Sequence, residues 1–349
     1  MKRRFSHYRW VTLISFAVMY NFVYLGRFNV NNNMERFVAD VGMNDVQTYI
    51  LSVSIFLSYA AGSVFNGYLA DRIGAKRIVV CGGLGTILMN VFISMEHVWG
   101  LLLGTWIING FFQSMIWVGG ISMLSHWWEE GSKGQGIGIA NFFSGISHVT
   151  AYLLPIMLLS LWPHISWRIA MVIPMGALLV FVILFGIFAV EKPADKNLDE
   201  YIIKNPRHEK REEVLRKRAK EDKKPWLYFL RLRNFWWWCT IALISSICRY
   251  GLLNWIPVYY KQTSGEEVLS ETFSNLTLPI GMAFGTLVIT WVAETKLFYG
   301  IRSLWHQWDP LGTRYRPGLQ SVCRQRGRHI QWICLFRSIS GNRAVPGGA

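Results

Sequence analysis

The spacing of apolar residues constrains this chain more than any motif does. Runs long enough to cross a bilayer occupy about residues 10–33, 46–70, 78–95, 99–126, 136–160, 166–190, 234–260 and 270–293. A spanning helix needs about 20 mostly apolar residues. Hydrocarbon offers backbone N–H and C=O groups no water, so a span must satisfy them internally, as a helix does. The chain is therefore expected to be an all-α polytopic membrane protein. Its 16% charged residues agree, since soluble domains carry about 25%. The opening MKRRFSHYRW and the apolar run behind it have the outline of a signal peptide. No small-x-small cleavage site follows, and the run continues into Arg27, so an uncleaved first helix is expected.

The net charge of +15 invites a nucleic-acid reading, but the positions of the charges argue otherwise. Lys2, Arg3, Arg4 and Arg9 precede the first span, Arg72, Lys76 and Arg77 follow the second, and fourteen Lys and Arg lie in 192–233. The first, third and fifth connections carry few: Arg36, none, and Arg168. By the positive-inside rule the N-terminus and the 192–233 segment are cytoplasmic. That segment reads as a solvated linker, near anionic lipid, because it lacks the interleaved aromatics of a nucleic-acid surface.

Two arginines interrupt the apolar pattern. Arg27 ends the run YLGRFNV, and Arg249 sits in WWWCTIALISSICRYGLLNWIPVYY, central in its run. An acidic residue leading a basic turn follows each, Asp71 after 44 positions and Glu294 after 45. This is a duplicated unit, and transporter halves built as parallel repeats place substrate at their interface near the midplane. A charge at mid-bilayer costs about 2.5–3.5 kcal/mol and normally faces a cavity. That argument is strong for Arg249. For Arg27 a second reading stays open, in which a helix starting near Trp10 lets the side chain snorkel outward. Two guanidinium groups facing one cavity make a site for an anion, because the planar fork binds phosphate or carboxylate oxygens bidentately.

GYLADRIGAKR, with Gly67, Asp71, Arg72, Gly74, Lys76 and Arg77, resembles the signature between the second and third helices of the major facilitator superfamily. Asp71 there is expected to pair with arginines at the cytoplasmic rim and to hold one gate closed. YLGRFN, NGFFQSMIWVGG…HWW and RYGLLNWIPVYY resemble the first, fourth and seventh helices of its organophosphate:phosphate antiporters, and the likeness covers about residues 5–302. The resemblance implies a major facilitator fold with six N-terminal helices plus the first two of a second half. It implies that Arg27 and Arg249 bind the substrate phosphate, with Tyr20 and Tyr24 lining the same cavity. Phe28 and Ser63 stand where relatives carry lysines, and Ser144 where they carry a histidine. His148, one turn on, is the candidate stand-in.

The expected organisation is an N-terminal six-helix half over 1–190, a basic cytoplasmic linker over 191–233, the start of a second half over 234–295, and an atypical tail over 296–349. From Ile301 to Ala349 there are eight arginines, no lysine and one acid, Asp309. That abrupt change reads as out-of-frame translation or a sequence error, which would leave the second half short of four helices.

The expected function is exchange of an organophosphate, a sugar phosphate or glycerol phosphate, for inorganic phosphate by alternating access. The expected partners are that small anionic metabolite, phosphate and the lipid bilayer of the plasma or inner membrane, with the chain monomeric. A membrane sensor of external sugar phosphate and a carrier of another organic anion remain as alternatives. No enzyme, nucleic-acid, cofactor or metal function is expected: no catalytic constellation appears, and the five cysteines have no paired spacing. GSKGQGIGIA lacks the GxxxxGK[ST] pattern and a preceding strand, so its glycines are expected to let a helix pack closely.

Overall fold

A computed structural model describes residues 2–128, 133–198, 235–237, 239–248 and 276–294, all within one compact unit, Met1–Thr295. Arg249, most of the basic linker and the tail after 294 lie outside the described residues. Every regular element among the described residues is helical. In chain order they are α1 (Lys2–Asn32), α2 (Met34–Val41), α3 (Asp45–Ile73), α4 (Ala75–Met95), α5 (Trp99–Ser125), α6 (Lys133–Leu161) and α7 (Trp167–Phe188). A 3₁₀ turn (Pro193–Lys196) and two further helices follow, α8 (Phe235–Cys248) and α9 (Leu278–Glu294). Six of them, α1 and α3–α7, are long and apolar enough to cross a membrane.

At about 1.5 Å per residue the 31 residues of α1 extend roughly 46 Å. A bilayer core is about 30 Å thick, so the charged first turns, Lys2–Arg9, continue the helix beyond the hydrocarbon. The sequence placed the span at 10–33, which is its apolar part. Short helix α2 is amphipathic and buries Phe37. It stops at Gly42 (φ 71°), whose N–H returns to the Val38 carbonyl. Asn44 then starts α3 with a reciprocal cap. Its side chain accepts from the Gln47 N–H (2.8 Å), while Gln47 Oε1 accepts from the Asn44 N–H (3.0 Å).

The chain of packed neighbours runs α3, α5, α4, α7, α1, α6, α9. Leu13, Phe16, Met19, Tyr20, Val23 and Tyr24 of α1 meet Ile116, Met123 and Trp127 of the α5 region and Leu178, Val182 and Phe185 of α7 in one core. The opposite surfaces are greasy. α3 exposes Leu57, Val64 and Phe65, and α7 exposes Ile169, Ile183 and Ile187. In water such bands would be a liability; against lipid they are the exterior.

Two glycines of the 131–140 segment, Gly136 and Gly138, are at close contacts. A Cβ on Gly136 would lie 2.8 Å from the Trp128 ring. Two turns further on, Gly145 brings α6 against Ala283 of α9, with Phe142 and Phe284 edge to face beside it.

Candidate functional site

Arg27 does not snorkel. Helical side chains lean toward the helix N-terminus, and this lean carries the Arg27 guanidinium back along α1, away from its nearer end. Nε donates to Gln113 Oε1 at 2.8 Å, about midway along α5. The guanidinium carbon lies 4.8 Å from the ring centroid of Tyr24 and 4.7 Å from that of Tyr59, itself about midway along α3. The charge is therefore held at the middle of the bundle by a neutral amide and two aromatic faces. Among the described residues Arg27 Nη2 and Gln113 Nε2 are buried donors without a hydrogen-bond partner.

The tyrosines implied by the family resemblance join this group. Tyr20 and Tyr24 meet edge to face at 5.3 Å, and the Tyr24 hydroxyl shares a 2.8 Å hydrogen bond with Ser144 Oγ of α6. His148 is brought in as well, with its ring 4.8 Å from Tyr24 and 5.2 Å from Phe28. Its Nδ1 lies 3.0 Å from the Ser144 carbonyl, one turn back on the same helix, so that nitrogen carries the proton. Ser63, where the resemblance implied a lysine, turns its hydroxyl to the Tyr59 carbonyl at 2.7 Å. Arg27, Tyr20, Tyr24 and His148 thus form one cluster, while Arg249 lies outside the described residues.

Two members of the site were not picked out from the sequence, Gln113 and Tyr59. Gln113 had a signal in the sequence, an amide side chain within a long apolar run and one turn from Asn109; the structure buries it wholly. Behind the cluster is a ladder of buried asparagines. Asn29 Nδ2 donates to Asn90 Oδ1 (3.0 Å) and to the Met171 carbonyl (3.3 Å). Asn90 Nδ2 donates to the Thr86 carbonyl (2.8 Å) and Asn109 Oδ1 (3.4 Å), and Asn109 Nδ2 donates to the Gly26 carbonyl (3.3 Å).

The Gly67–Arg77 motif spans the end of α3, the junction at Gly74 and the first turn of α4. Gly74 adopts φ 103°, a region that side chains disfavour, and its bareness admits the Glu191 carboxylate, which would lie 3.0 Å from an added Cβ. Glu191 takes the first N–H groups of α4, Ala75 at 3.1 Å and Lys76 at 3.4 Å, where a negative charge suits the helix dipole. Asp71 is exposed, and among the described residues it forms no ion pair; Arg72 lies 4.4 Å over the Tyr68 ring.

At the other end of the bundle Arg168 ties four segments together. Its Nε and Nη2 reach Asp40 Oδ2 (3.1 and 2.5 Å), its Nη1 the Ser94 and Glu96 carbonyls (2.8 and 3.0 Å), and its Nη2 also His97 Nδ1 (3.3 Å). The hydrogen bond from Arg168 holds the Asp40 carboxyl below its usual value of 3.8.

Among curated proteins, the probable hexose phosphate transport protein of Chlamydia muridarum is 22% identical over 309 residues, covering 84% of this chain and 66% of that protein. The glycerol-3-phosphate transporter of Bacillus subtilis is 20% identical over 267 residues, covering 74% of this chain and 59% of that protein. The chain matches less than two thirds of the length of either relative. The solved structure of a bacterial homolog to the human lysosomal transporter Spinster shares 18% identity at TM-score 0.46, covering 53% of this chain and 44% of that one, a likeness too low to carry an argument. The model of the Major Facilitator Superfamily matches residues 16–306, more than four fifths of the chain, and it is to this superfamily that the chain belongs.

Proposed function

We propose that this protein binds phosphorylated metabolites at Arg27 and exchanges them for inorganic phosphate by alternating access. The observation that carries the reading is, among the described residues, the pair of unpartnered buried donors Arg27 Nη2 and Gln113 Nε2, beside a cation that no carboxylate there answers. Buried polar groups are nearly always paired. Two open donors at a positive centre therefore call for a ligand rich in anionic acceptors, and a phosphate group supplies oxygens to both. The names of the relatives, transporters of hexose phosphate and of glycerol-3-phosphate, support the same chemistry.

In this mechanism the phosphate lies on Arg27 and Gln113, and Arg249 supplies the opposing guanidinium from the start of the second half, 234–295. Tyr20, Tyr24 and His148 line the wall toward the organic part of the substrate. A ligand touching both halves favours the state in which they close around it, and only that differential contact shifts the equilibrium. The Gly67–Arg77 turn gates the cytoplasmic face, to which the N-terminus and the 191–233 linker belong. The membrane is the plasma or inner membrane, and the acting unit is a monomer.

The test is phosphate-competable binding of a sugar phosphate or glycerol phosphate to the purified chain, followed by counterflow in phosphate-loaded proteoliposomes. Arg27→Lys and Arg249→Lys keep the charge but lose the planar fork, and each is expected to abolish binding without unfolding the protein. Saturable binding without counterflow would identify a sensor. Binding of organic anions indifferent to phosphate would identify a different carrier. Normal phosphate binding by Arg27→Lys would overturn the reading.

A further inference from the structure

Resting on that reading, we propose that Asn109, Asn90 and Asn29 are positioning residues for Arg27, acting through its backbone without touching the substrate. Their hydrogen bonds form a closed circuit. It leaves α1 at Asn29, passes through Asn90 of α4 and Asn109 of α5, and returns to α1 at the Gly26 carbonyl, one residue before the arginine. All three side chains are 2% exposed or less. Asn90 and Asn109 each accept at Oδ1 and donate from Nδ2, which fixes their orientation: exchanging the oxygen and nitrogen of Asn90 would set its oxygen against the Thr86 carbonyl.

Two details connect the circuit to the site. Asn109 and Gln113 lie one turn apart on α5, so they share a face. From that face Asn109 holds the carbonyl of Gly26, and Gln113 holds Nε of Arg27. α5 thus grips consecutive residues of α1, one by its backbone and the other by its side chain. Gly26 makes this approach possible, since a Cβ there would lie 2.8 Å from Asn90 Nδ2 and 3.0 Å from Thr86 Cγ2. Within a bundle exposed to lipid the freed amides have no water to turn to. Breaking one rung therefore releases the rotation and height of α1 at the very residue that carries the charge.

Asn66 provides a matched control. It is also fully buried and also joins two helices, α3 and α5, through the Phe111 carbonyl (3.2 Å) and Ser114 Oγ (2.7 Å), but it makes no contact with α1 among its recorded bonds. The experiment compares Asn109→Ala with Asn66→Ala in the full chain in nanodiscs. Inorganic phosphate affinity, thermal midpoint and the ¹⁵Nε–¹Hε resonance of Arg27, assigned by its loss in Arg27→Lys, are measured for each. Both variants are expected to lose similar thermal stability. Only Asn109→Ala is expected to weaken phosphate binding tenfold or more and to move the Arg27 resonance.

Asn109→Ser, which keeps a short donor, serves if the alanine variant does not fold. If Asn109→Ala bound phosphate like the parent with the Arg27 resonance unmoved, the positioning role would be overturned. If the parent itself did not bind phosphate, the anion reading would fail. The resonance would still decide the positioning claim: moved, it stands; unmoved, it falls.

Discussion

Replacing Gln113 by glutamate should separate the stability of the site from its function. The wild-type glutamine accepts one hydrogen bond from Arg27 Nε at 2.8 Å and leaves the guanidinium charge uncancelled. Glutamate keeps that acceptor and adds a negative charge. The gain in pairing and the cost of burying a carboxylate roughly offset each other, so the thermal midpoint is expected within a few degrees of the parent. Anion binding should collapse. A phosphate on Nη2 would meet the new carboxylate at about 4 Å, and at an effective dielectric of about 20 this repulsion is about 4 kcal/mol, roughly a thousandfold in affinity. Gln113→Leu separates the two terms in the opposite way. It strands a charged donor, costing about 1.5–3 kcal/mol of stability, yet leaves the cation in place for phosphate. Calorimetric titration with inorganic phosphate and differential scanning fluorimetry read both quantities. Phosphate binding by Gln113→Glu within tenfold of the parent would refute the claim that the anion sits on this face.

The two ends of the bundle give further expectations. Removing the Glu191 carboxylate as Glu191→Ala uncovers the first N–H groups of α4, and should cost about 0.5–2 kcal/mol in thermal unfolding, as loss of an N-cap does; a midpoint equal to the parent's would deny the cap. Asp40 has its folded pKa depressed by the Arg168 hydrogen bond. Its stabilisation is therefore present above the ordinary carboxylate value, and is lost as pH falls through the depressed one. Asp40→Asn should melt below the parent at pH 7, and the gap should close in acid; a gap independent of pH would mean the carboxylate charge is not what Arg168 holds.

The first six spans were legible because a bilayer imposes one length and one polarity on every crossing segment. Their limits were less so. Hydropathy begins the first helix near Trp10, since Lys2–Arg9 are charged, yet the backbone hydrogen bonds continue through them to Lys2. The short α2 is too brief and too mixed in polarity to register against spans of about 20 residues. Arg27 could be named from its type and its place in an apolar run, and Tyr20, Tyr24 and His148 from the family resemblance, but their company could not. Gln113 is 86 positions from Arg27, Asn90 is 61 from Asn29, and Glu191 is 116 from Ala75. In a sequence each is a lone polar residue in or beside an apolar run. Only the packing order of α1, α4, α5 and α7 turns three separate asparagines into a circuit.

Comparing two arginines indicates what the middle of the bundle is arranged to do. Arg168, at the end of α7, has all three nitrogens engaged and its charge answered by Asp40, the one ion pair among the described residues. Among the described residues Arg27 donates from Nε to a neutral amide, has tyrosines as its other polar neighbours, and leaves Nη2 open. Stability alone would favour the opposite distribution. A cation at the rim is cheap to leave in water, where an ion pair is worth about 0–1 kcal/mol, whereas a cation inside an apolar bundle gains most from a carboxylate. Around Arg27 the chain instead places an amide, tyrosine faces and a ring of asparagines. These hold the group's geometry without neutralising it. That arrangement keeps a fixed positive charge available to a ligand, and it is why the asparagine circuit is expected to register in phosphate affinity as well as in melting temperature.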